Sequence, residues 1–138
     1  VVDEARVQRL LRHLIDTVAF LEAEAAAPAE VRTERRWMDS IKYNFIAAIG
    51  CAIDIGQHIC ADEGWGPPST NPEVFTQLGA HDVLPNDLAV SLAQASGFRN
   101  GLVSDYVDMR DDLVIAQLNR LNELSHFARA VANWLVNA

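Results

Sequence analysis

Two apolar stripes run side by side through residues 41–59, and they restrict the fold more than any other feature of the chain. Ile41, Phe45, Ala48, Ala52, Ile55 and Ile59 step alternately by four and three, and Ile46, Ile49 and Ile53 follow a second line next to the first. This is helical spacing, at about 3.6 residues per turn. A surface helix shows one stripe to one core, whereas two adjoining stripes require neighbours on more than one side. The helix is expected from about Val31 to Glu63, stopped by Gly64, Gly66, Pro67 and Pro68. It belongs at the centre of a bundle.

The rest of the chain supplies partners for it. Val7, Leu10, Leu11, Leu14, Val18 and Leu21 mark a first helix from about Asp3 to Ala26, ending before Pro28. Asn71, as cap, and Pro72 open a short helix to Gly79, and Leu84-Pro85-Asn86-Asp87 begins a fourth through Leu88, Leu92 and Ala95. Gly97 and Gly101 bracket a polar segment, Phe98 to Asp108, that reads either as an irregular turn or as a bent helix. A last helix from about Asp111 carries Val114, Leu118, Leu121, Leu124, Ala128, Val131 and Leu135. No β-branched run of period two occurs, so the expected fold is all-α, an antiparallel bundle of four to five helices. With 138 residues, half of them hydrophobic, the chain suits a single domain spanning residues 1–138.

Several functional classes fall away on composition. The longest apolar run, Phe45 to Ile53, is nine residues, less than half of a membrane span. Asp3, Glu4, Arg6 and Arg9 interrupt the region where the apolar part of a secretory leader would lie, so a cytoplasmic location without membrane attachment is expected. Nineteen acidic against eleven basic residues give a net charge of -8, opposite in sign to that of non-specific nucleic-acid binders. Contact with RNA then depends on a local basic patch. Arg6, Arg9 and Arg12 recur on one arc of the first helix and Arg32, Arg35 and Arg36 open the second, as a solvated face or as a surface for phosphate or an acidic partner.

Cys51 and Cys60, nine residues apart on one helix, face nearly opposite sides and read as buried thiols. His13, His58, His81 and His126 lack the spacing that puts two metal ligands on one helix face, and neither a phosphate loop nor a nucleophile elbow is present. No metal and no cofactor is expected. The segment that stands out is Gly97-Phe98-Arg99-Asn100-Gly101-Leu102-Val103-Ser104-Asp105-Tyr106, which gathers a guanidinium, an amide, a hydroxyl, a carboxylate and a phenol. On residue types alone it is either a polar helix cap or a site.

This segment resembles the signature of the HepT-like branch of the HEPN proteins, in which Arg-Asn is followed after three residues by His, any residue and Tyr. Arg99, Asn100, Leu102, Val103 and Tyr106 match, as do the stretches 52–59 and 67–78. The resemblance implies a dimeric HEPN-type helical bundle, the toxin of a toxin–antitoxin pair, acting as a metal-independent ribonuclease. It implies that Arg99 and Asn100 act on the RNA phosphate at a homodimer interface. It also implies that a minimal nucleotidyltransferase (MNT) antitoxin transfers AMP onto Tyr106. Ser104 stands where the family has histidine, and serine does not titrate near neutral pH, so cleavage by this chain is expected to be impaired. Either the chain is a natural variant that keeps binding, or the histidine was replaced to make a harmful protein producible. A non-catalytic helical module holding a nucleotide or a partner protein is the alternative.

Overall fold

The computed structural model describes residues 2–137. Seven α-helices account for most of them: α1 (Glu4–Ala25), α2 (Ala29–Arg32), α3 (Arg35–Asp62), α4 (Asn71–Ala80), α5 (Asn86–Ser104), α6 (Asp111–Gln117) and α7 (Leu121–Asn137). No strand occurs among the described residues. α2 is a single turn, and a 3-10 turn over Leu118–Arg120 joins α6 to α7.

The central helix is α3. Ile41, Phe45, Ala48, Ala52, Ile55 and Ile59 from the first stripe, and Ile49 and Ile53 from the second, are all buried. α3 packs against α1, α4, α5 and α7. It is long and apolar enough to cross a membrane, but over half of that stretch is buried by these neighbours. α1 and α5 run antiparallel to it. At one end the Asp3 amide donates to Asp62 (3.0 Å), and further along the Cys51 thiol donates to the Leu10 carbonyl (3.1 Å). On the α5 side the Phe98 ring meets Phe45 edge-on at 5.7 Å, and Tyr106 reaches back to Asp39. Buried residues from α1, α3, α4, α5 and α7 belong to one continuous core.

Three local departures from the sequence pattern have physical causes. Thr70, not Asn71, caps α4: its hydroxyl accepts from the Glu73 amide, and Glu73 reaches back to the Ser69 amide at 2.8 Å. These reciprocal bonds satisfy the helix start and leave Asn71 free to face α5. The last helix is not continuous, because Leu118 and Leu121 are both buried three residues apart, a step that the tighter 3-10 turn aligns. Arg32 closes α2 and is used structurally, donating to the Ala25 and Ala27 carbonyls at the end of α1 and lying over Trp37.

α3 and α4 meet at Gly56, where a Cβ would lie 2.3 Å from Val74 Cγ1 and 3.1 Å from Leu78 Cδ1. Val74 and Leu78 are fully buried and cannot yield. Gly56→Ala is therefore expected to lower stability by about 1–3 kcal/mol through overpacking, measured by urea denaturation.

Candidate functional site

The polar segment singled out in the sequence is helical as far as Ser104, so Gly97 and Gly101 do not bend it, and the chain turns at Asp105. α5 therefore presents Arg99, Asn100 and Ser104 on a regular scaffold, with Tyr106 in the turn that follows. Their surroundings differ.

Arg99 lies against α3 where α3 has no side chain. A Cβ on Gly50 would touch the Arg99 Nη2 at 3.6 Å and Nε at 3.8 Å. The Nε is buried and has no hydrogen-bond partner, and Arg99 has no ion pair among the described residues. It lines an open groove of about 310 Å³ with His13, Tyr43, Gly50, Cys51 and Asp54. A guanidinium left without a protein acceptor and opening onto a groove is suited to an anion. The thiol beside it is inert, since burial and, secondarily, the charge of Asp54 push Cys51 up to about 11.

Asn100 is exposed and accepts a hydrogen bond from the Asn71 amide at 3.2 Å, which ties the motif to α4. One turn on, the Ser104 hydroxyl donates to the Asn100 carbonyl at 2.8 Å. Ser104 is exposed, so a larger ring fits there without repacking.

Tyr106 belongs to a separate cluster at the start of α3. Its hydroxyl donates to Asp39 Oδ1 at 2.9 Å, and Arg35 Nε lies 3.4 Å from the same carboxylate. Lys42, 6% exposed, donates to the Tyr106 carbonyl (3.2 Å), lies 4.9 Å from its ring centre and pairs with Asp111 at 3.7 Å. Gly50 and Asp39 are eleven residues apart on α3, which separates the Arg99 and Tyr106 clusters by about 16 Å along the axis. The structure thus brings Asn100 and Ser104 together and holds Arg99 and Tyr106 apart within one chain.

Four aspartates, Asp105, Asp108, Asp111 and Asp112, follow Ser104, and two of them are balanced: Lys42 faces Asp111, and Arg110 bonds Asp112 and lowers its pKa. Asp105 and Asp108 make no ion pair among the described residues. Nor does any group of three His, Cys, Asp or Glu side chains stand ready for a metal there. Sequence reasoning missed Asp39, Lys42 and Asp54. None of them belongs to a motif, and only the packing of α5, the turn after it and α6 against α3 gives them a role.

An all-α bundle with this Arg-Asn strip on a late helix defines the HEPN class of helical proteins. The family profile described as "Ribonuclease HepT-like" matches residues 6–131, and the chain belongs to that family. It is similar to a tRNA nuclease HepT of Aphanizomenon flos-aquae, 34% identical over 86 residues, which cover 62% of this chain and 58% of that one. It is also similar to an mRNA nuclease HepT of Shewanella oneidensis, 30% identical over 77 residues covering 56% and 58%. The chain thus spans less than two thirds of the length of these curated relatives. Among solved structures, a tri-AMPylated Shewanella oneidensis HEPN toxin in complex with its MNT antitoxin superposes with a TM-score of 0.84. That match has 20% identity and covers 92% of this chain and 96% of that one, a likeness of fold.

The Tyr106 cluster makes a pH prediction. Burial raises the phenol above its ordinary 10.0, the hydrogen bond to Asp39 and the Asp39 charge add to this, and Arg35 opposes them. A raised folded pKa stabilises the fold below pH 10 and loses that contribution as pH rises through the folded value. In Tyr43→Phe protein, which leaves Tyr106 as its one tyrosine, ultraviolet titration is expected to show ionisation above pH 10, moved down by Asp39→Asn.

Proposed function

We propose that this chain is the toxin component of a HEPN/MNT toxin–antitoxin pair, an endoribonuclease acting in the cytoplasm whose cleavage is impaired by Ser104. The observation that carries the reading is Arg99: a guanidinium with a buried, unpartnered Nε that opens onto a groove has no structural employment. The family match and the nuclease relatives supply the reaction class.

Metal-independent RNA cleavage needs a base for the 2′-hydroxyl, an acid for the departing 5′-oxygen, and cations or hydrogen-bond donors for the phosphorane-like transition state. In this reading Arg99 binds the phosphate and Asn100 orients it. Position 104 carries the proton in a histidine form and fails to do so as serine. The exposed Val103 and Val107 flank Ser104 and Tyr106, and the exposed Tyr43 lines the Arg99 groove. Apolar side chains at these positions support a homodimer that brings two copies of the strip to one cleft, with single-stranded RNA as substrate. The MNT antitoxin is the partner, and its transfer of AMP to Tyr106 blocks the cleft with bulk and negative charge. The AMPylated toxin that shares this fold supports that regulation. The single-domain reading of residues 1–138 accords with the one continuous core.

The test restores the histidine. Ser104→His is expected to raise RNA cleavage in chelated buffer by roughly 10²- to 10⁴-fold and to arrest growth on induction. Arg99→Ala in the same background is expected to abolish both. A Ser104→His protein that folds, dimerises and leaves RNA intact would favour the non-catalytic binding module.

A further inference from the structure

Tyr106 does not offer a free hydroxyl: its proton is directed at the Asp39 carboxylate, 2.9 Å away. The hydroxyl's lone pairs remain for an electrophile. A groove of about 410 Å³ opens beside it, lined by Arg32, Arg35, Asp39, Lys42, Tyr106 and Asp111 among others, a size within the roughly 300–1,000 Å³ range of small-molecule sites. Three cations there face two carboxylates, which leaves one positive charge for an added anionic group.

We propose that Asp39 readies Tyr106 for nucleotidyl transfer, holding its hydroxyl in place and accepting its proton as the oxygen attacks the α-phosphorus of a nucleoside triphosphate. The inference rests on the reading of Tyr106 as the modified residue. The bond from Tyr106 Oη to phosphorus forms as the bond from phosphorus to pyrophosphate breaks. Pyrophosphate leaves with its electron pair, and the phenolic proton passes to Asp39 Oδ1. The triphosphate comes from the partner enzyme, and the side chain on the receiving protein supplies the base.

Three observations converge on this role. A phenol held above its ordinary pKa does not present phenolate at neutral pH, so its proton has to move during the reaction. Lys42, through the Tyr106 carbonyl and ring, fixes the backbone that carries the nucleophile. Arg35 has a side chain 94% exposed and, among the described residues, a single ion-pair partner, Asp39. When Asp39 takes the proton, Arg35 is released to face the new phosphodiester, with Lys42 behind it. The charged groups facing Asp39 and Tyr106 are thus Arg35 and Lys42 from α3, Arg32 from the end of α2 and Asp111 from α6.

The experiment incubates the full chain with its cognate nucleotidyltransferase and magnesium ATP, and follows AMP on the Tyr106 peptide by mass spectrometry across pH. Asp39→Asn keeps an acceptor oxygen near the hydroxyl and removes the base. It is expected to slow modification by roughly 10²- to 10⁴-fold, with Asp39→Glu recovering part of the rate. The residual rate of Asp39→Asn is expected to climb about tenfold per pH unit, following the phenolate, while the unaltered chain has a flat profile near neutrality. Undiminished modification of Asp39→Asn, or a steep climb already in the unaltered chain, overturns the role of Asp39. An unaltered chain that acquires no AMP overturns the modification reading itself.

Discussion

Every part of this molecule depends on the burial of α3. Half of that helix's 28 residues are buried, on stripes that face several sides, so the chain must enclose it, and α1, α4, α5 and α7 do so. Enclosure fixes where function can reside. A polar residue on α3 survives only where a neighbour answers it or where the bundle is open, and those are the places at which α5 and its following turn arrive. Gly50 makes space for the Arg99 guanidinium, and Lys42 receives the Tyr106 carbonyl and ring. The site is an end-product of core packing.

The separation of Arg99 from Tyr106 has a consequence for regulation. If Tyr106 carries the modification proposed above, the added group starts from a cluster about 16 Å along α3 from the one that holds Arg99. In that reading a bulky nucleotide on Tyr106 obstructs the approach of RNA to the exposed end of α5. Charge would work in the same direction: Asp105 and Asp108 make no ion pair among the described residues, and each added phosphodiester would raise the local negative potential.

Much of the architecture was legible in the sequence. The double stripe of α3 announced a buried central helix, and the spacing from Val7 to Leu21 and from Val114 to Leu135 gave its flanks. The motif residues Arg99, Asn100, Ser104 and Tyr106 were legible as a segment, but their grouping was not. The 3-10 turn at Leu118–Arg120 depends on two leucines turning inward together. The cap at Thr70 depends on Glu73 folding back to Ser69, and competes evenly on paper with Asn71. Asp39 and Asp54 carry no local signal, because a single carboxylate on a helix gains meaning only from what packs across from it. The arginines of the first helix are exposed, and Arg32 donates to carbonyls at the end of α1.

The central claim is that the strip along α5 and its facing groove on α3 receive RNA even with serine at position 104. Ultraviolet cross-linking of the unaltered chain to a short single-stranded RNA, mapped by mass spectrometry, tests this without requiring cleavage. Cross-links are expected on peptides covering residues 43–54 and 96–107, weakened by Arg99→Ala. Cross-links confined to Arg6, Arg9 and Arg12 on α1, unchanged in Arg99→Ala protein of intact fold, would contradict the account.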